Sequence, residues 1–167
     1  MEKYVMAALT VTVCILFALL AFRAWKKRES RQNSLFEAPM ENLPTSGELL
    51  AQADCFYVAT TFSDNFLERV AGHGLGARGF SIIQVFSEGL LVKRVGERNL
   101  AISKDDLVSV MFSQVAIDKA VEKDGLLVVS WLTGGVPLST HLRVKDLSDR
   151  EQVFSTLTEL VARGVKK

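Results

Sequence analysis

Nineteen consecutive residues, Tyr4 to Phe22 (YVMAALTVTVCILFALLAF), carry no charge, and a basic cluster follows directly. A helix of that length rises roughly 28 Å at 1.5 Å per residue. The hydrocarbon core of a bilayer is about 30 Å thick, so the run is just long enough to cross it. Only Thr10 and Thr12 are polar within it, and in a helix their hydroxyls bond back to carbonyls of the preceding turn. The spacing predicts a single transmembrane helix, with the rest of the chain folding outside the lipid.

Arg23, Lys26, Lys27, Arg28 and Arg31 follow the span, whereas only Lys3, offset by Glu2, precedes it. Excess Lys and Arg remain on the cytoplasmic side. The expected arrangement is a cell-membrane protein of one pass, its N-terminus outside and everything after Arg23 in the cytosol. Trp25 and Tyr4 suit the two interfacial layers. A cleaved signal would have a basic start, a shorter apolar core and a small-x-small site. Here the flank is bulky and basic, and Val11-Thr12-Val13 ahead of Cys14 is no lipobox. Residues 1–28 therefore read as an uncleaved anchor with its basic flank.

The formal net charge is +1, with positive charge concentrated beside the span. A nucleic-acid partner would require a basic face with interleaved aromatics on the folded domain, and the sequence has none. The expected partners are the lipid bilayer and an unidentified membrane or cytosolic protein. Cys14 and Cys55 fall in different compartments of the chain, so no disulfide is implied. The two Cys and two His lack metal-ligand spacing, and no metal or cofactor is expected.

Residues 29–53, with Pro39 and Pro44, read as a linker. Leu35, Phe36, Met40 and Leu43 are scattered through it and have either the domain or the membrane surface to dock on. A flexible linker of this length would let the domain sit a few tens of ångströms from the bilayer, at about 5–6 Å × √n.

Residues 54–165 form the soluble domain. From Cys55 the apolar pattern has period two. Phe56, Val58, Thr60 and Phe62 are expected on one face, opposite Tyr57, Ala59 and Thr61. Further strands are expected at Phe80–Phe86, Leu90–Val95, Asn99–Ser103, Val108–Phe112 and Leu126–Thr133, with a short extra one at Lys119–Glu122. Ser87-Glu88-Gly89, Asp124-Gly125 and Gly134-Gly135 mark turns. In the last strand Leu138, Thr140, Leu142 and Val144 point to the core. Ser139, His141, Arg143 and Lys145 are expected to face water. Ser148-Asp149-Arg150-Glu151 reads as a capping box. It opens a helix with the apolar stripe Val153, Phe154, Leu157, Leu160 and Val161, which Arg163 and Gly164 end. The fold class is mainly β with one transmembrane helix. About seven antiparallel strands closed by a C-terminal helix give the order of a pleckstrin-homology-like (PH-like) barrel. A lipocalin-like closed barrel is the alternative, with longer and more numerous strands.

Particular residues sharpen this reading. Tyr57-Val58-Ala59-Thr60-Thr61, Gly74-Leu75-Gly76-Ala77-Arg78-Gly79, Trp131-Leu132-Thr133-Gly134 and Leu138-Ser139-Thr140-His141-Leu142-Arg143 resemble an actinobacterial family. Its members are single-span membrane proteins with a bacterial PH-like cytosolic domain, often labelled export or transporter proteins. The resemblance runs through span, flank, linker, barrel and helix. It departs at Ser139 and His141, where the family has an acidic and a small residue. It implies a fold and a location, and no chemistry.

No catalytic set emerges. There is no G-x-S-x-G, and Asp105-Asp106 reads as a turn. The glycine-rich stretch Gly72–Gly79 leads into a strand, which excludes a P-loop or dinucleotide fingerprint. Its glycines are read as a structural loop, with an anion-binding alternative in which Arg69, His73 and Arg78 add charge to backbone amides. His141 and Arg143 share one strand face, read as solvated, with a partner- or anion-binding surface as the alternative. Trp131 is expected to fill the barrel. The functional expectation is a membrane-anchored interaction or scaffolding module without catalysis. An accessory transport or export component and an anion or lipid-headgroup binder are the alternatives.

Overall fold

A computed structural model describes residues 2–45, 47–113 and 125–164. The expected strand at Lys119–Glu122, and Asp124 of the expected turn, lie outside the described residues. Helix α1 runs without a break from Glu2 to Asn33. Among the described residues seven strands follow: β1 (Leu49–Phe62), β2 (Gly79–Phe86), β3 (Gly89–Arg94), β4 (Leu100–Ser103), β5 (Leu107–Ser113), β6 (Leu126–Thr133) and β7 (Val136–Val144). Helix α2 (Leu147–Gly164) ends the described chain.

The helix explains its own start. The apolar run is bare of protein throughout, and its most apolar 18-residue window has a mean hydropathy of 2.7. Thr10 donates to the Met6 carbonyl at 2.9 Å and Thr12 to the Ala8 carbonyl at 2.8 Å, as the spacing predicts. The helix does not stop at the basic flank. Glu29–Asn33 (Glu-Ser-Arg-Gln-Asn), expected as linker, continues it, because most of these straight-chain polar residues propagate a helix well.

The strands form one antiparallel sheet in the order β4-β3-β2-β1-β7-β6-β5. β1 is its spine. Leu49–Tyr57 pairs with β2, and Cys55–Phe62 pairs with β7. One strand thus serves both halves, and among the described residues β4 and β5 do not pair with each other. The sheet is open, which removes the lipocalin-like alternative. β1 also begins at Leu49, ahead of the expected Cys55. Its first inward positions are Ala51 and Ala53, too small to give a strong alternation.

A bulge at Val58 changes the parity of β1. Tyr57 faces Leu142 and Ala59 faces His141, so Val58 is the extra residue. The expected common face of Phe56, Val58, Thr60 and Phe62 is therefore split. Cys55 and Tyr57 point inward before the bulge, and Thr60 and Phe62 after it. A second bulge at Val108 likewise leaves that side chain outside while Leu107, Val110 and Phe112 reach the core.

Inside, Ile83, Val85, Leu90, Leu127, Leu138 and Leu142 pack around Trp131, which fills the barrel as expected. The indole N–H donates to Thr140 Oγ1 at 3.0 Å. Thr140 meets Thr60 at 2.9 Å, Thr60 meets the Tyr57 hydroxyl at 2.7 Å, and that hydroxyl donates to the Leu75 carbonyl at 3.0 Å. Burial, opposed by the Thr60 hydrogen bond, raises the Tyr57 pKa, so the donor stays protonated.

Two local expectations are corrected. The cap of α2 is Asp146, not Ser148. Asp146 Oδ1 accepts from the Ser148 and Asp149 amides at 2.9 and 3.0 Å and from the Ser148 hydroxyl at 2.6 Å. Those bonds hold its carboxyl below the usual range. A carboxylate two residues earlier outcompetes a hydroxyl for the first free amides. Arg143 on β7 and Lys145 just after it are exposed, but Ser139 and His141 are only 8% and 7% exposed and are not a wet face. The stripe of α2 covers the core as expected, with Phe154 stacked on Phe112 at 4.2 Å between ring centres.

The segment after α1 is packed on the domain. Phe36 is buried against Phe62 and His73. Met40 bridges to Ala101 and covers the free edge of β4. Leu43 lies against Gly89, where any side chain would also run into the Ile102 carbonyl.

Candidate functional site

The most developed polar arrangement is where α1 meets the β1–β2 loop. Gln32, fully buried, directs its Oε1 at two successive amides of that loop: Ala71 at 2.6 Å and Gly72 at 3.2 Å. The next amide, His73, donates to Asn33 Oδ1 at 2.7 Å. The Gln32 amide nitrogen and the Arg28 guanidinium both donate to the Arg69 carbonyl, at 3.3 Å each. His73 Nε2 bonds the Phe36 carbonyl at 3.0 Å, closing the contact from the other side.

The glycines exist for this contact. A Cβ on Gly72 would lie 2.6 Å from Asn33 Oδ1, and one on Gly76 would lie 3.3 Å from Trp25 Cζ2. Left-handed backbone falls on His73 and Gly74, with φ of 52° and 76°. The structural-loop reading therefore holds, with close approach of α1 as its main reason. Three successive amides are turned toward oxygens as in an anion nest. The oxygens they meet belong to the chain itself.

Arg94 on β3, which the sequence reading passed over, supports the loop from beneath. Its guanidinium lies 4.1 Å from the centre of the Tyr57 ring. It donates to the Gly74 carbonyl at 2.9 Å and the Ala77 carbonyl at 2.6 Å. Nothing in the local sequence marks it, because its acceptors are backbone carbonyls some 20 residues away.

The five residues singled out from sequence do not form one cluster. Arg69 and His73 belong to the α1 junction. The Arg69 guanidinium donates to the Val58 carbonyl freed by the bulge, at 2.9 Å. Arg78 is exposed on the approach to β2, and Arg143 is exposed on β7. His141 is buried, with Nε2 at 3.2 Å from Thr61 Oγ1. Burial first, and the Arg69 charge second, lower its pKa and keep the imidazole neutral.

Recesses lie outside the core, two of them beside residues already described. A groove of about 590 Å³ runs between β1, β2 and the start of α2, with Phe56, Phe80 and Ile82 on its floor and Asp54, Lys145 and Asp149 on its rim. A cavity of about 380 Å³ opens beside His141, with Phe66 and Met111 among its walls. Among the described residues no group of three or more His, Cys, Asp or Glu could hold a metal ion. Burial, opposed by a bond to Ser81, raises the Cys55 thiol to about 11, which keeps it in the thiol form near neutral pH.

Known proteins bear on the fold. Residues 34–158 match the family described as bacterial PH domain-like. Among solved structures, a chain of the 8S snRNP assembly intermediate is 12% identical with a TM-score of 0.50, covering 74% of this chain and 89% of that one. The inner membrane complex sub-compartment protein 3 from Toxoplasma gondii is 12% identical with a TM-score of 0.41, covering 86% of this chain and 87% of that one. Vav1 held by an allosteric inhibitor is 11% identical with a TM-score of 0.43, covering 85% of this chain and 35% of that one. No curated protein matches. At 12% identity the first of these speaks to the fold alone, and the other two carry no argument. With the family match over most of its length and a seven-stranded open sheet closed by α2, the chain belongs to the bacterial PH domain-like family.

Proposed function

We propose that this chain is a membrane-anchored, non-catalytic interaction module, a PH-like domain held against the cytosolic face of the membrane to bind or scaffold a protein partner. The observation that supports it most is the α1 junction. The apolar helix continues unbroken into the domain and is bonded there through Arg28, Gln32 and Asn33. A tether of this kind gives the domain one orientation, where the sequence alone suggested a slack linker. Holding a binding surface near membrane partners raises its effective concentration without any new contact.

The same junction weighs against the headgroup-binding alternative. The amides of Ala71, Gly72 and His73, which would cradle a phosphate, already serve Gln32 and Asn33. An export role would be accessory. The span has no charged residue to line a pathway, so solute would have to cross through another protein.

The test has two arms. The full chain should fractionate with membranes, and protease added to whole cells should leave the domain intact. A photo-crosslinker placed at Phe80, exposed in the groove, should give one discrete protein adduct in membranes and none after deletion of residues 2–22. Recovery of the intact chain in the soluble fraction refutes the anchor, and a diffuse smear of adducts refutes the module.

A further inference from the structure

We propose that the groove between β1, β2 and the start of α2 receives the juxtamembrane segment of another membrane-spanning protein, a short stretch carrying an apolar side chain flanked by Lys or Arg. The proposal rests on the anchored reading above and names the chemistry of the partner.

The groove opens close to the lipid. Trp25 lies three residues past Phe22, the last residue of the apolar run, which is about 4.5 Å of helix. The β1–β2 loop meets α1 at that level, since a Cβ on Gly76 would lie 3.3 Å from Trp25 Cζ2. Phe80 follows Gly76 by four residues, a reach of at most about 14 Å. Val95 is beside it, its amide donating to the Phe80 carbonyl at 3.0 Å. The near end of the groove therefore lies within about 20 Å of the hydrocarbon edge. An extended chain leaving the bilayer covers that distance in about six residues. In cytosolic segments this is the stretch enriched in Lys and Arg.

The lining suits such a segment. Phe80 and Val95 are 66% and 75% exposed, and with Phe56 and Ile82 they give the groove an apolar surface that the fold leaves uncovered. Asp54, Asp146 and Asp149 line it against one cation, Lys145, whose ammonium lies 5.9 Å from the centre of the Phe80 ring. Asp146 is committed to capping α2. Asp54 and Asp149 have no side-chain hydrogen bond or ion pair among the described residues. Arg143 and Arg150, close by in sequence, have interactions of their own. Two uncommitted carboxylates beside an apolar surface fit a cation next to an apolar side chain. The bilayer is a poorer occupant, because anionic headgroups would meet those carboxylates.

The full chain, with a photo-crosslinker in place of Val95, is reconstituted in phosphatidylcholine vesicles with a synthetic single-span leucine-alanine peptide as the probe. The peptide ends in the tail Lys-Arg-Phe-Leu-Lys-Arg. Crosslinking should saturate as the peptide fraction rises, and a tail of Glu-Asp-Phe-Leu-Glu-Asp should give none. The basic tail freed of its span should need far more peptide. Asp54→Asn combined with Asp149→Asn should raise the peptide fraction at half-saturation roughly 2- to 30-fold, the range expected for two exposed ion pairs. Equal capture of the acidic or the span-free tail, an unaltered response in the double variant, or adducts only with lipid or a second copy overturns the proposal. Flotation of the vesicles separates it from the anchored reading. A chain that fails to float refutes both, whereas one that floats and captures no basic peptide refutes this proposal alone.

Discussion

Replacing Gln32 by Ala should unlock α1 from the domain without unfolding the sheet. Three hydrogen bonds go with the side chain: 2.6 Å from the Ala71 amide, 3.2 Å from the Gly72 amide and 3.3 Å to the Arg69 carbonyl. A neutral hydrogen bond contributes about 0.5–1.5 kcal/mol net, so the three together hold the junction by about 2–4 kcal/mol. At 1.4 kcal/mol per factor of ten, the closed junction loses roughly 30- to 700-fold in population relative to the open one. Hydrogen exchange on the full chain in nanodiscs reads this directly. The Ala71 and Gly72 amides should exchange faster by that factor, while strand amides such as Ile83 and Leu142 keep their protection. Gln32→Glu retains the two acceptor contacts, loses the donor to Arg69, and should fall between. Unchanged exchange at Ala71 and Gly72 in the Ala variant would refute the reasoning, and so would an equal rise throughout the sheet.

Other outcomes follow from the same geometry. Arg94→Lys cannot fork to the Gly74 and Ala77 carbonyls, and chemical denaturation should show a loss of about 1.5–3 kcal/mol; a variant as stable as the parent discards the role assigned to Arg94. His141 has its pKa lowered in the fold, so its contribution is complete above the ordinary value near 6.5 and is lost as pH falls through the folded value. Melting temperature should therefore drop as pH falls below about 6.5 in the parent and not in His141→Gln; a drop of equal size in both rules out His141 as its source. The Cys55 thiol, raised to about 11 by burial, should resist iodoacetamide at pH 8 until denaturant is added, and rapid native labelling seen by mass spectrometry would contradict that burial. Asp146→Ala should lower the melting temperature by removing the cap of α2, whereas Ser148→Ala should have a smaller effect; the reverse order would restore Ser148 as the cap.

Much of the fold was legible because period two and period 3.6 are strong signals in large apolar residues. Leu138 to Val144 and the stripe from Val153 to Val161 illustrate both. What escaped was set by neighbours distant in sequence. The bulge at Val58 shifts the register of one strand against another, and no local pattern announces it. His141 looked solvent-facing by alternation. It is buried because it belongs to the polar outer layer it shares with Thr61 and Ser139. The glycine-rich stretch was recognised as special, but its occupant was not, since Gln32 and Asn33 lie nearly 40 residues upstream in what read as linker. Their only sequence signal is the run of helix-favouring residues from Arg23 to Gln32, which a continued helical reading would have carried to the loop.

The unbroken passage from α1 into the domain makes heading a matter of arithmetic. On the anchored reading, each residue added between Phe22 and Trp25 rotates the barrel about the helix axis by about 100° and lifts it about 1.5 Å. One insertion would swing the Phe80 groove away from a neighbour lying in the plane of the bilayer. Seven, close to two full turns, would return it to nearly the same azimuth about 10 Å farther from the lipid. Partner engagement should thus vary periodically with insertion length, like a gear that meshes only at certain teeth.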